Sequence, residues 1–284
     1  MLFVFGTVLK RIRLDVSQGA LAAPVIFTEY YESEIGGRGA LSAVAAARLC
    51  IKVALVARTG DGYEAAYILP HLRQEGVITS AVARSDTEKT GCVVDVYEGG
   101  VLRHSMFSLG AGADTSHAQI PEELLNDKAV VLLQNELREE ENRMLLAKAK
   151  RQEAKTVFHL APRFTLPPED LKNVDYLVVS EKQAGPFQDH AGLIIFHPAG
   201  EASVKLPDGM LWRSRIPVRV IQDSAGMEEA FCGIFAAFLH EGAKVRDAVQ
   251  MASIAAVLTG EKEGAYTAPH MQDIQDAVKA LAAG

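Results

Sequence analysis

Apolar and polar positions along the chain follow two periods in alternation. Short runs rich in Val, Ile, Leu and Phe at 2–5, 53–57, 129–133, 156–160, 176–179 and 193–196 read as strands. Between and after them, apolar residues recur at helical spacing. In 39–49 this puts Ala43, Ala46, Ala47 and Leu49 on one face, where small side chains suit close packing against a sheet. Residues 139–151 form another predicted helix, acidic at its start and basic at its end as the helix dipole favours. The last third is predicted mostly helical, over 229–241, 245–258 and 271–283. Strands alternating with helices predict an α/β fold, a mainly parallel central sheet flanked by helices.

Two segments break this rhythm. Residues 8–34 carry no strong amphipathic helix, and 91–108 read as two strands joined across Glu98, Gly99 and Gly100, where glycine supplies the positive φ of a hairpin turn. On the pattern alone they are excursions from the main sheet. No internal repeat or low-complexity linker interrupts the chain. With 284 residues, 49% of them hydrophobic, it is expected to form one domain over 1–284.

Composition narrows the partners. A net charge of −7 offers no basic stripe for a phosphate backbone, so nucleic acid is not an expected partner and a small ligand fits better. The cysteines Cys50, Cys92 and Cys232 are odd in number and lack a C-x-x-C spacing. They are expected to be buried thiols rather than a disulfide framework or zinc site. The eight histidines show no metal spacing, and His159, His197 and His240 read as ordinary surface or core residues. No apolar run approaches the length of a membrane span and no leader pattern opens the chain, so a cytoplasmic location is expected.

The candidate chemistry lies at 222–233, Gln-Asp-Ser-Ala-Gly-Met-Glu-Glu-Ala-Phe-Cys-Gly, where two adjacent carboxylates stand at a loop-to-helix junction. Two carboxylates in a first turn also serve simply as partners of the helix dipole, and Asp223 serves equally as an N-cap. A second set lies upstream, in Gly36-Gly37-Arg38-Gly39-Ala40, a small-residue helix, and Thr59-Gly60-Asp61-Gly62. Thr90-Gly91, Gly110-Ala111, Leu133-Gln134-Asn135-Glu136, Ala161-Pro162, Gly264-Ala265 and Ala268-Pro269 follow in order. Together these resemble the two signatures and intervening landmarks of the ribokinase-like (PfkB) family of sugar and nucleoside kinases. The second signature usually reads D-T-x-G-A-G-D-x-F-x-G.

The resemblance implies a ribokinase-like fold in which 8–34 and 91–108 build a small β lid that closes over substrate and often pairs two subunits as a homodimer. It implies ATP-dependent, Mg²⁺-assisted phosphoryl transfer to a hydroxyl of a sugar or nucleoside-like molecule. Glu229 stands in the place of the catalytic Asp, and Gly226, Met227 and Glu228 in that of the anion hole. Gly36, Gly37, Gly39 and Arg11 fall on the substrate side, and Asp223 and Ser224 on the cofactor side; no protein metal ligand is assigned. The departures cluster at these positions. Arg11 and Leu41 replace an Asp and an Asn that hold substrate hydroxyls. Ser180-Glu181-Lys182-Gln183 replaces N-x-x-E, and Ile195-Phe196-His197 replaces a nucleotide-side T-x-G. An arginine donates only and a leucine does neither. The chain is therefore expected to be a kinase-like protein of weak or lost activity, or a noncatalytic pseudokinase that binds a small molecule or assembles with partners.

Overall fold

The computed structural model describes residues 1–28, 30–162, 167–206, 208–217 and 219–283; Glu29, inside the first lid segment, lies outside them. In chain order the elements are β1 (Leu2–Phe5), β2 (Leu9–Val16), β3 (Tyr30–Gly36), α1 (Arg38–Ala47), β4 (Val53–Gly60), α2 (Tyr63–Gln74), β5 (Val82–Ser85), β6 (Thr90–Glu98) and β7 (Val101–Gly110). They continue with β8 (Val130–Asn135), α3 (Glu139–Arg151), β9 (Lys155–Pro162), α4 (Pro168–Leu171), β10 (Tyr176–Ser180), β11 (Leu193–Phe196), β12 (Ala202–Lys205), β13 (Leu211–Arg213), α5 (Met227–His240), α6 (Val245–Gly260) and α7 (Met271–Ala283).

The large sheet has the order β13-β12-β11-β10-β9-β8-β1-β4-β5. It is parallel from β5 to β11, and β12 and β13 add antiparallel strands at one edge. Its central strands are apolar throughout because helices cover both faces. In β1 the alternation separates two cores. Leu2 and Val4 point to the face packed by α1, α2, α5, α6 and α7, while Phe3 and Phe5 point to the face packed by α3. All six predicted strands and five predicted helices form, with ends shifted by a few residues. Helix α2 carries Pro70 in its interior, which breaks the sequence signal; Ala65, Ile68, Leu69 and Leu72 bury its inner face.

The two irregular segments build a separate four-stranded sheet, β3-β2-β6-β7. Strands β2 and β6 pair in parallel, and β6 and β7 form a hairpin closed by Gly99 and Gly100 at φ 60° and 77°. Strand β7 is exposed along most of its length, including Val101, Leu102, Met106 and Phe107. The cysteine expectation needs correction. Only Cys232 is buried; Cys92 is half-buried, and Cys50 is exposed at φ 61° just past the end of α1.

Helices α1 and α5 approach closely, and this contact positions the site. Gly233 on α5 faces the backbone of α1, where a Cβ would fall 2.2 Å from the Ser42 carbonyl oxygen. Even alanine therefore forces the helices apart. Gly233→Ala is expected to lower unfolding stability by about 1–3 kcal/mol, read from urea denaturation. An unchanged midpoint would show that the helix pair tolerates separation.

Candidate functional site

The C-terminal ends of the parallel strands open towards the small sheet, the place where open α/β sheets bind ligands. A cavity of about 500 Å³ lies there. Its floor is formed by Gly37, Arg38 and Leu41 of the α1 region, Glu136 just beyond β8, and Ser224 to Glu229 leading into α5. Ser180, Glu181 and Lys182 beyond β10, with Phe196 and Pro198, form one wall. The small sheet covers the cavity with Arg11, Val93, Asp95, Leu102, Ser105 and Phe107.

Gly226 sets the entry into α5. It is left-handed at φ 80°, and a Cβ there would lie 2.4 Å from the Ala265 carbonyl oxygen. The turn aims the first residues of α5 at the cavity. The Met227 backbone lines it, but its side chain is buried towards Gly200 and Gly260. Glu228 and Glu229 follow, and both carboxylates meet Arg38. Arg38 Nη1 lies 2.5 Å from Glu229 Oε1 and 3.3 Å from Glu228 Oε2, while Nε lies 3.8 Å from Glu136 Oε1. These carboxylates raise the guanidinium pKa further despite its burial. On the far side of Glu228, His159 Nε2 is 3.1 Å from the same Oε2.

This network shifts the protonation of His159, Glu228 and Glu136. Burial lowers the His159 pKa, but the neighbouring Cys232 and Glu228 outweigh it and push the imidazole up to about 10. Burial raises the Glu228 pKa, whereas His159 and Arg38 hold it down at about 2. Burial dominates for Glu136, whose carboxyl is pushed above its usual range although Thr7 donates to it. The reading of His159 as an ordinary residue therefore needs correction, since it is buried beneath the cavity and holds Glu228 in place. Sequence gave no cue, because His159 and Glu228 are 69 residues apart.

The other predicted positions divide. Gly37, Arg11, Gly226, Met227, Glu228, Glu229 and Ser224 line the cavity; Gly36, Gly39 and Asp223 do not. Gly36 packs against Arg11, and Gly39 lets α1 approach the backbone of Gly6 and Thr7. Arg11 is buried, with Nε 2.6 Å from Asp95, Nη1 on Glu34 and Nη2 3.2 Å from the Tyr97 hydroxyl. Asp223 accepts from the Tyr97 hydroxyl and from the backbone N–H groups of Ala225 and Gly264, and it pairs with Arg13 at 3.4 Å. It ties the lid to the loop before α5, and Gly226, not Asp223, is the N-cap residue. Gln183 is likewise structural, donating to the Leu160 carbonyl and accepting from Ser180 N–H. Among the described residues no group of three or more His, Cys, Asp or Glu side chains is placed to hold a metal ion. Arg38 and Glu136, which organise the floor, stood inside quoted motifs without an assigned role.

The His159–Glu228 pair makes stability depend on pH in a definite direction. His159 is raised from 6.5 to about 10, so its contribution is complete below pH 6.5 and is lost as pH rises through 10. Glu228 is lowered from 4.5 to about 2, so its contribution is present above pH 4.5 and is lost as pH falls through 2. The melting-temperature gap between the unmodified protein and His159→Gln is expected to shrink by more than half between pH 6.5 and 10. A constant gap would show that the imidazole is not held protonated.

Comparison with known proteins agrees with this geometry. Residues 1–191 match the pfkB family carbohydrate kinase profile. A ribokinase of Lactococcus lactis subsp. lactis (strain IL1403) is 24% identical over 301 residues, covering 98% of this chain and 97% of the relative. A ribokinase structure from Thermotoga maritima superposes with a TM-score of 0.88 at 20% identity, covering 98% of this chain and 99% of that one. Arabidopsis thaliana ribokinase, complexed with ribose and ATP, gives 0.85 at 20% identity and 98% coverage of both chains. The structural likenesses establish a shared fold, and with the family profile spanning more than half of its length, the chain belongs to the pfkB family of carbohydrate kinases.

Proposed function

We propose that this protein keeps the family's pocket for a sugar or related hydroxylated molecule under its β lid, while phosphoryl transfer from ATP is weak or lost. One observation carries the reading. Glu229, which stands in the place of the catalytic base, is ion-paired with Arg38 at 2.5 Å. The Glu229 oxygen engaged by the guanidinium is not free to accept the proton of a substrate hydroxyl.

The residues do not fit a transferring phosphoryl group. Phosphoryl transfer relies on positioned positive charge at the phosphate oxygens. Here Glu228 and Glu229 occupy the first turn of α5, where bare N–H groups and the helix dipole would favour an anion. Arg38 and His159, the cations that touch this turn, are already engaged with them. Ser180, Glu181 and Lys182 line the cavity as a carboxylate flanked by a hydroxyl and an ammonium, an arrangement without a second acidic oxygen donor for Mg²⁺. Leu41 and Arg11 also leave the acceptor side without the Asn and Asp of the signatures.

The ribose and ATP bound to the Arabidopsis thaliana ribokinase motivate testing both ligands here. A working kinase is the second reading, favoured by Glu229 reaching the cavity from the first turn of α5. A homodimer through the lid is supported by the exposed side chains of Tyr30, Tyr31, Val101 and Met106 on its strands. Lid strand β7, with its outward apolar residues, would then be shared by two subunits.

Calorimetry with ribose and a coupled ADP-release assay test the proposal. Ribose is expected to bind, whereas millimolar ATP with Mg²⁺ is expected to add well under the roughly 2.7 kcal/mol that a ligand at 100 times its Kd supplies. Glu228→Gly is expected to strengthen ATP binding by removing a carboxylate from the turn, without restoring sugar-dependent turnover. Robust sugar phosphorylation by the unmodified protein, abolished in Glu229→Gln, would overturn the proposal.

A further inference from the structure

One acid at the bottom of the cavity lacks a full set of partners. Three carboxylates, Glu136, Glu228 and Glu229, converge on a single guanidinium, Arg38, with His159 bonded to Glu228 from below. Glu136 is the decisive member. Its side chain is 2% exposed, it lines the cavity, and its Oε1 accepts no hydrogen bond. Arg38 Nε is 3.8 Å from that oxygen and is itself without a hydrogen-bond partner. A buried carboxylate oxygen left unsatisfied is costly, and a charge-assisted donor would relieve the cost.

The remaining walls narrow what could bring that donor. Leu41, Val93, Leu102, Phe107 and Phe196 give the cavity apolar faces, while Arg11 and Asp95 opposite the floor are already paired with each other. A ligand that satisfies the floor therefore needs a compact cation on a small body with apolar CH faces. An ammonium is compact enough to approach a carboxylate in a pocket that already holds a guanidinium. The aromatic rings of Phe107 and Phe196 add favourable surface for a cation or for the CH face of a pyranose.

Resting on the sugar-pocket reading and deepening it, we infer that the ligand class is an amino sugar whose ammonium group binds the Glu136 and Glu228 carboxylates. Glu228 is open to such a group, with a side chain that is 33% exposed. The neutral hydroxyl of a simple sugar would leave the buried Glu136 carboxyl without a countercharge of its own. The ammonium supplies that countercharge and donates to Glu136 Oε1.

The test is calorimetric titration of the unmodified protein with D-glucosamine, D-glucose and N-acetyl-D-glucosamine at a pH of about 6.5, where a primary amine remains largely protonated. Glucosamine is expected to bind at least about tenfold more tightly than either neutral sugar. Glu136→Gln keeps the shape and removes the charge, and is expected to reduce the preference to within about threefold. Glu228→Gln, altering a partly exposed side chain, reads the same loss without changing a buried group. Equal binding of glucosamine and glucose would overturn the inference while leaving the sugar pocket standing. Binding by none of the three would overturn the sugar-pocket reading with it. A glucosamine preference that survives both substitutions would show a diffuse attraction to an acidic protein and would also overturn the inference.

Discussion

Arg38 is the charge on which the floor of the site depends. It begins α1, while its partners Glu228 and Glu229 begin α5 and Glu136 follows β8. One guanidinium thus joins two helix N-termini to the end of a central strand. Such a pair is retained only where geometry offsets the cost of taking ions out of water, and removing one partner of a buried pair typically costs about 3–5 kcal/mol. The close contact of Gly233 with the Ser42 backbone makes the arrangement possible, because it brings the two helix starts within reach of one side chain. Packing and electrostatics are therefore coupled here: helices held farther apart would leave the carboxylates without their common cation.

A second polar network holds the lid. Arg11 on β2 binds Asp95 on β6 and Glu34 on β3, and Tyr97 connects this group to Asp223 before α5. Glu34 also accepts from Ala265 N–H, and Asp223 from Gly264 N–H. The lid is thereby tied through side chains and backbone to the two loops that border the anion-side turn. Burial and the nearby Asp223 carboxylate raise the Tyr97 phenol to about 12, so it stays a neutral hydrogen-bond donor at ordinary pH. Arg11 is wholly engaged within this tie.

The six predicted strands and the five predicted helices were legible because each carries an apolar pattern long enough to declare its period. The small separate sheet was legible as a break in that pattern together with a Gly-Gly turn. Helix α2 was not, since Pro70 removes a donor from its interior and only burial against β4 restores the helix. Strands β5, β12 and β13 are short edge additions whose sequences carry little alternation over 3 to 4 residues. For the site, the motif at 222–233 located the turn and its two carboxylates correctly. It did not disclose that Arg38 and His159 neutralise them.

By itself the sequence determined the α/β class, the position of the lid and the acidic opening of α5, because these rest on local periodicity, turn chemistry and residue identity. Tertiary structure alone decided the charge state of Glu228 and the partners of both acids. His159 reaches Glu228 across 69 residues and Arg38 reaches Glu229 across 191, distances in sequence over which no spacing rule operates. Surroundings then set the outcome: burial raises the Glu136 carboxyl, while at Glu228 the His159 and Arg38 cations outweigh burial and hold it ionised. Two carboxylates of one cavity are driven in opposite directions because a pKa reports the surroundings of a group, and only the folded chain supplies them.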